Sequence, residues 1–246
     1  MSLNRSYLMA SAAAVLAGAV TLPAQAASFT ASDAVGAGCP SAATCTVNGF
    51  TLDVVQPDGF LMTEKTVAGV TGIGISEDGV SGKSASDPSQ GEIDPGDILK
   101  VSFAESVVEY IDLSFLYLSK ANGGRFDGLN EVAQVTASNG TVGTLSVTGD
   151  EDSFDAIWSL STGSVVNLSP PTFDGGAAWK ILNPFGDTKI SFFELTAVDS
   201  PRFSDHRDSD FALSAVATAE DIPEPTAFIG LGLVAGAGTL LRRRVR

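Results

Sequence analysis

Carboxylates in polar loops are the side chains of this sequence best placed to bind a ligand. Glu92, Asp94 and Asp97 fall within one loop of the 246-residue chain, and further acidic runs lie at 150–155 and 205–210. Calcium takes about six to eight oxygen ligands, which clustered carboxylates and loop carbonyls can supply. The spacing does not match the calcium loop D-x-[DN]-x-[DN]-G. Two interpretations stay open: a calcium site at Glu92, Asp94 and Asp97, or a solvated acidic surface.

Nothing in the sequence forms a recognisable catalytic set. His206 is the sole histidine, and no G-x-S-x-G elbow, H-E-x-x-H pair or glycine-rich phosphate loop occurs. Glycosidase chemistry needs only two carboxylates about 5 to 10 Å apart. The 29 acidic residues produce such pairs by chance. We therefore expect no enzymatic activity and no cofactor other than calcium, with a secreted hydrolase as a distant alternative.

The two tryptophans, Trp158 and Trp179, are candidates for carbohydrate contacts. β-Sheet domains commonly present aromatic platforms to sugars, and an outward-facing indole would serve. Each tryptophan lies among strand-like residues, where packing in the core is the default. The sequence therefore favours buried tryptophans and keeps a carbohydrate-binding module as the alternative function.

Apolar and polar residues alternate along many short segments of the sequence, which predicts β-strands. We therefore expect strands to position these side chains. Asn139-Gly140 predicts a two-residue hairpin, in which both turn positions need positive φ. No window outside the two ends of the chain predicts an amphipathic helix of about ten or more residues. We expect an all-β fold, a single β-sandwich of jelly-roll type. The predicted strands, hairpin arms included, are Phe50–Val55, Leu99–Phe103, Ile111–Tyr117, Val135–Ser138, Thr141–Leu145, Ala156–Leu160, Trp179–Leu182, Ile190–Val198 and Phe211–Ala217.

The N-terminus has the parts of a secretory signal peptide. Arg5 is a positive n-region, 7–20 is an alanine-rich apolar stretch, and Ala24-Gln25-Ala26 is a small-x-small cleavage site. The stretch is too short and too rich in alanine to favour an uncleaved anchor. We predict a signal peptide over residues 1–26, cut after Ala26 or Ala27.

The C-terminus combines a proline tripeptide, an apolar segment and a basic cluster. Pro223-Glu224-Pro225 precedes the apolar stretch 226–241, and the chain then ends on arginines at Arg242, Arg243, Arg244 and Arg246. Sixteen residues of helix span about 24 Å, short for a hydrocarbon core of about 30 Å. We predict a transmembrane helix with its arginines on the cytoplasmic side, and a buried C-terminal helix is the alternative.

Together these two ends resemble the PEP-CTERM proteins of Gram-negative bacteria. The resemblance implies that an exosortase cuts near Pro223-Glu224-Pro225, so that 226–241 anchors the protein in the inner membrane only transiently. A looser resemblance, over Gly72 to Ile75 and Glu92 to Asp97, implies a β-sandwich and no catalytic residue. We therefore expect a structural or adhesive protein of the cell surface or extracellular matrix, associated with exopolysaccharide.

Charge and cysteines fit an exported domain. The chain has 14 Lys plus Arg against 29 Asp plus Glu; without Arg5 and the four tail arginines, nine positive charges remain against 29, or −20. Such a surface repels nucleic acid. Cys39 and Cys45, the only cysteines, predict a local disulfide in an oxidising compartment, with free thiols as the alternative. We divide the chain into signal peptide 1–26, β domain 27–222 and sorting segment 223–246.

Overall fold

The computed structural model describes residues 26–67, 69–76, 91–116, 131–150, 153–169, 178–198 and 209–219. Within these ranges the chain forms one short helix and fourteen strands. The elements are β1 Ala27–Thr30, α1 Ala31–Gly36, β2 Thr44–Val47, β3 Phe50–Gln56, β4 Leu61–Val67, β5 Val70–Ser76, β6 Ile98–Ser106, β7 Val108–Ser114, β8 Val132–Ala137, β9 Val142–Asp150, β10 Ser153–Trp158, β11 Ser164–Asn167, β12 Ala178–Leu182, β13 Ile190–Ala197 and β14 Ala212–Thr218.

The strands form two antiparallel sheets. Sheet A has the order β11-β12-β7-β14-β5-β4, with β1 paired to β14. Sheet B has the order β10-β9-β8-β13-β6-β3-β2. Each pairing between the strands of these sheets is antiparallel, so the predicted all-β class is confirmed.

Both sheets contribute to one cluster of buried apolar side chains. Along β8 every second residue is buried, as the pleat of a strand with one face in the core requires. Phe29 of sheet A lies edge-on to Phe50 of sheet B, with ring centroids 5.0 Å apart. Phe50 in turn packs at 5.6 Å from Phe103 of β6. Burial of these rings supplies the main favourable term for keeping the sheets together.

The first and last strands of the described chain are neighbours. β1 pairs with β14 so that Ala27 lies opposite Thr218 and Thr30 lies opposite Ala215. Ala219 directly follows β14, and its carbonyl accepts a hydrogen bond of 2.8 Å from Ser106 Oγ. Both ends of the described chain therefore leave the sheets at the same place.

The short helix α1 is held by a capping box. Thr30 N donates to Asp33 Oδ2 at 2.8 Å, and Asp33 N donates to Thr30 Oγ1 at 3.2 Å. These bonds to Thr30 lower the pKa of Asp33. The helix has only six residues, so periodicity gave no signal for it.

Most predicted strands are found, with shifted ends. Strands lie at all the predicted segments, but Ile111–Tyr117 ends as a strand at Ser114 because Phe115 adopts φ +67°. The same stretch is buried on both faces near its end, as its apolar sequence indicated. β1, β2, β4 and β11 were missed, and β5 was indicated only through the resemblance over Gly72 to Ile75. β1, β2 and β11 have only four residues each, too few to show alternation clearly.

The hairpin between β8 and β9 is confirmed, but the predicted turn type is wrong. Among Ser138, Asn139 and Gly140, only Gly140 has positive φ, at +84°. Gly140 N donates to the Ala137 carbonyl at 2.9 Å, and Ala137 N donates to the Thr141 carbonyl at 2.8 Å. This pattern is a three-residue loop with glycine in the left-handed region.

Three predicted features lie outside the described residues: residues 1–25 of the signal peptide 1–26, with Ala24 of its cleavage site; the sorting segment Pro223 to Arg246; and His206. In the described ranges, no helix has the length and apolar character that a membrane crossing requires.

Removing the disulfide between Cys39 and Cys45, which the structure contains as the sequence predicted, should weaken the fold modestly. The bond joins residues six apart, and closing so short a loop contributes about 2 to 3 kcal/mol. A Cys39→Ala/Cys45→Ala double variant should lose about that much free energy of unfolding in a urea titration, and reductant should affect only the wild type. An unchanged free energy would contradict this role.

Candidate functional site

The loop predicted to hold a ligand crosses the outer side of sheet A. Ile73 and Ile75 of β5 point into the core, so Gly72 and Gly74 face the opposite side. A Cβ atom on Gly74 would overlap the Gly91 carbonyl oxygen. The backbone of 91–93 therefore lies directly on the strand, which only glycine permits.

Backbone hydrogen bonds fix this crossing segment on two strands. Ile75 N donates to the Glu92 carbonyl at 3.1 Å, and Ile93 N donates to the Phe211 carbonyl at 2.6 Å. Ile93 and Phe211 are fully buried. The segment thus ties β5 to the chain that enters β14, and then leads into β6 of sheet B.

A buried ion pair lies where the segment crosses. Lys65 Nζ of β4 is 2.5 Å from Glu92 Oε2, and the two side chains are 4% and 1% exposed. The Lys65 ammonium also lies 5.5 Å from the centroid of the Phe115 ring. Burial raises the pKa of Glu92 to about 7, although the charge and hydrogen bond of Lys65 act to lower it. A carboxylate so deeply buried needs such a partner.

Asp94 and Asp97 form a turn of their own. Asp94 N donates to Asp97 Oδ2 at 3.1 Å, and Asp97 N donates to the Asp94 carbonyl at 3.0 Å. Gly96, between them, has φ +95°. Burial raises the pKa of Asp97 to about 6, opposed by the hydrogen bond from Asp94. Asp97 therefore stabilises the turn that launches β6.

The three predicted calcium ligands do not converge. The Glu92 carboxylate points to Lys65, whereas the Asp97 carboxylate binds its own turn. Across the described ranges, no three acidic, thiol or imidazole side chains are arranged to hold a metal ion. The calcium prediction named this loop but missed Lys65, because no alternation of apolar and polar residues marks Leu61–Val67 as a strand.

Both tryptophans lie in the core. Trp158 is 7% exposed and Trp179 is 1% exposed. Trp158 Nε1 donates to the Pro184 carbonyl at 3.0 Å, and Trp179 Nε1 donates to the Leu116 carbonyl at 3.2 Å. The core position that the sequence favoured is confirmed, so neither indole offers the exposed platform that the carbohydrate alternative assigned to it.

A second ion pair lies on the outward side of sheet A. Lys180 Nζ of β12 is 3.3 Å from Asp112 Oδ2 of β7 and 3.6 Å from the centroid of the Tyr110 ring. Partial burial raises the pKa of Asp112, against the opposing effect of Lys180. This cluster joins two neighbouring strands and is more accessible to water than Lys65 and Glu92.

Comparison with known proteins finds no matching family model, no matching curated protein and no matching solved structure. The site is therefore interpreted from its own geometry and from the sequence.

Gly74→Ala tests the close approach of the crossing segment. The added methyl group would meet the Gly91 carbonyl and the Glu92 Cα, so the segment must shift, at about 1 to 3 kcal/mol of stability. Gly36→Ala is the matched control, because nothing lies within 4 Å of its Cβ position. We expect chemical denaturation to show a loss for Gly74→Ala and none for Gly36→Ala. Equal stabilities would contradict the close approach.

Lys65→Met tests the ion pair through its pH dependence. The variant leaves Glu92 buried without its cation, which should cost about 3 to 5 kcal/mol when the carboxyl is ionised. Without Lys65 the folded-state pKa of Glu92 rises further above its unfolded value of about 4.3. The folded variant then binds the Glu92 proton more tightly than the unfolded chain does. Its free energy of unfolding therefore falls as pH rises from the unfolded-state pKa of Glu92 to the folded-state pKa.

Denaturant titrations should therefore show a larger loss for Lys65→Met at about pH 8 than at about pH 5. The Lys65→Met/Glu92→Gln double variant is the control, and it should recover stability at the higher pH. A loss that is the same at both pH values would mean that Lys65 acts through packing alone.

Proposed function

We propose that this chain is an exported structural or adhesive protein of the cell surface or extracellular matrix. The segment 226–241 holds it in the inner membrane transiently, and an exosortase releases it near Pro223-Glu224-Pro225. The released protein associates with exopolysaccharide, binds no nucleic acid and carries out no catalysis. The three-part tail and the signal sequence support export and sorting.

In this proposal the described strands form a single β-sandwich of jelly-roll type. Two antiparallel sheets that share one cluster of buried side chains support it, as does the contact between Phe29 and Phe50. The disulfide between Cys39 and Cys45 is compatible with an oxidising compartment outside the cytoplasm.

The pairing of β1 with β14 is the observation that carries the proposal. Ala27, the first residue after the predicted signal peptide, lies opposite Thr218. Only residues 220–222 separate the described chain from Pro223. Both predicted processing sites therefore lie only a few residues along the chain from paired ends of β1 and β14. Membrane-bound proteases with active sites near the bilayer could act at both sites while the domain keeps one orientation.

The termini of the protein recovered from its producing cells test this proposal. Mass spectrometry should find a first residue at Ala27 or Ser28 and a last residue near Glu224. Replacing Pro223, Glu224 and Pro225 by alanine should leave the whole tail attached and the protein in the membrane fraction. Glu220→Ala, an acidic residue just outside the tripeptide, is the control and should be processed normally.

An intact chain recovered from the cytosol, with residues 1–26 and 223–246 still present, would contradict export. Normal release of the alanine variant would contradict only the proposed role of Pro223-Glu224-Pro225 and would leave the proposed export standing.

A further inference from the structure

A cleft opens between the two sheets where the first and last described strands meet. Its volume is about 470 Å³, within the range of about 300 to 1,000 Å³ typical of small-molecule sites. β1 and β14 of sheet A form one side, and β6 of sheet B forms the other. Its lining includes Ser28, Asn48, Phe103, Ser106 and Thr218.

Phe103 gives the cleft an aromatic wall. Its ring lies 5.6 Å from Phe50 and 6.1 Å from Phe193, both fully buried, so the core holds it in place. Phe103 itself is only partly buried and lines the cleft. A fixed, partly exposed aromatic ring can pack against the C–H face of a sugar at little cost in conformational entropy.

The polar groups around this ring are oriented by hydrogen bonds to the backbone. Asn48 Nδ2 donates to the Ser28 carbonyl at 3.2 Å, Ser106 Oγ to the Ala219 carbonyl at 2.8 Å, and Thr218 Oγ1 to the Ala27 carbonyl at 3.4 Å. A hydroxyl that donates one bond keeps oxygen lone pairs for accepting others, and an asparagine amide has a carbonyl and a second N–H. These groups match the hydroxyls of a sugar.

The side chains of the cleft are uncharged in a strongly acidic molecule, and the proposed cleavage after Ala26 would add one α-amino group, that of Ala27, at its rim. None of the described residues that line it carries a charge, whereas the chain has a formal net charge of −15. An anionic ligand would find no cationic side chain in the lining, only the Ala27 α-amino group after processing, and would be repelled by the acidic remainder of the surface. A cation would find no carboxylate there. The ligand that fits is a neutral one with many hydroxyl groups.

We propose that this cleft binds a pyranose unit of a neutral polysaccharide. The inference rests on the proposed function in that it names the polysaccharide contact of an extracellular protein. It also moves that contact from the tryptophans, which are buried, to Phe103 and Asn48.

Titration of the protein purified from its producing cells with oligosaccharides tests the cleft. Neutral gluco- and manno-oligosaccharides are the probes. An oligogalacturonate is the acidic comparison, because cleavage after Ala26 would place the positively charged Ala27 α-amino group at the rim, where it would attract an anionic sugar. Calorimetry or saturation-transfer NMR should show binding of a neutral oligosaccharide. Phe103→Leu should weaken it at least about tenfold, by removing the aromatic face while keeping an apolar side chain.

Asn48→Gly is the second variant, because Asn48 has φ +50°, a conformation that glycine adopts readily. It should also weaken binding without unfolding the protein. Phe192→Leu is the matched control, since Phe192 is a partly buried phenylalanine outside the cleft, stacked by Lys100 at 4.0 Å. It should bind as the wild type does.

Binding of none of the neutral probes, tighter binding of the oligogalacturonate, or equal affinities for all variants would overturn the inference. A protein that is processed and released as proposed but binds no sugar would contradict only the proposed sugar binding in the cleft. A protein that binds sugar but retains residues 1–26 and 223–246 would contradict only the proposed export and sorting.

Discussion

The ion pair between Lys65 and Glu92 is the interaction around which this structure is organised. It lies beside the backbone of 91–93, which can approach β5 closely only because Gly74 has no Cβ. The same segment carries the chain from sheet A to sheet B, from β5 to β6. One lysine and one glycine therefore allow the chain to cover the outer face of one sheet before it starts the other. The apolar residues on the inner side of β5 remain available to the core.

Strand β14 connects this crossing to the proposed sugar cleft. At its start, the Phe211 carbonyl accepts the hydrogen bond of Ile93, and at its end Thr218 lines the cleft and pairs with β1. The last strand thus joins the first strand and the crossing segment in one ladder.

The few lysines of the described ranges serve local pairing more than surface charge. Lys65, Lys100 and Lys180 lie over the rings of Phe115, Phe192 and Tyr110, at 5.5, 4.0 and 3.6 Å from the centroids. Two of them also face a carboxylate whose pKa burial raises. The acidic surface is left almost unneutralised, which favours solubility and discourages contact with other polyanions. A neutral ligand that binds in the cleft displaces water from uncharged side chains, which costs less free energy than desolvating charged ones.

The sequence by itself determined the features that depend on neighbouring residues. Alternation specified the all-β class and most strands, Asn139-Gly140 specified the position of a hairpin, and Cys39 with Cys45 specified a local disulfide. Only the tertiary structure decided which face each residue occupies and which distant residue it meets. It paired Glu92 with Lys65 across 27 residues, buried both indoles and made Phe103 the wall of a cleft. The physical reason is register: partners across a sheet or between sheets are chosen by the packing of the whole core, and no local pattern encodes that choice.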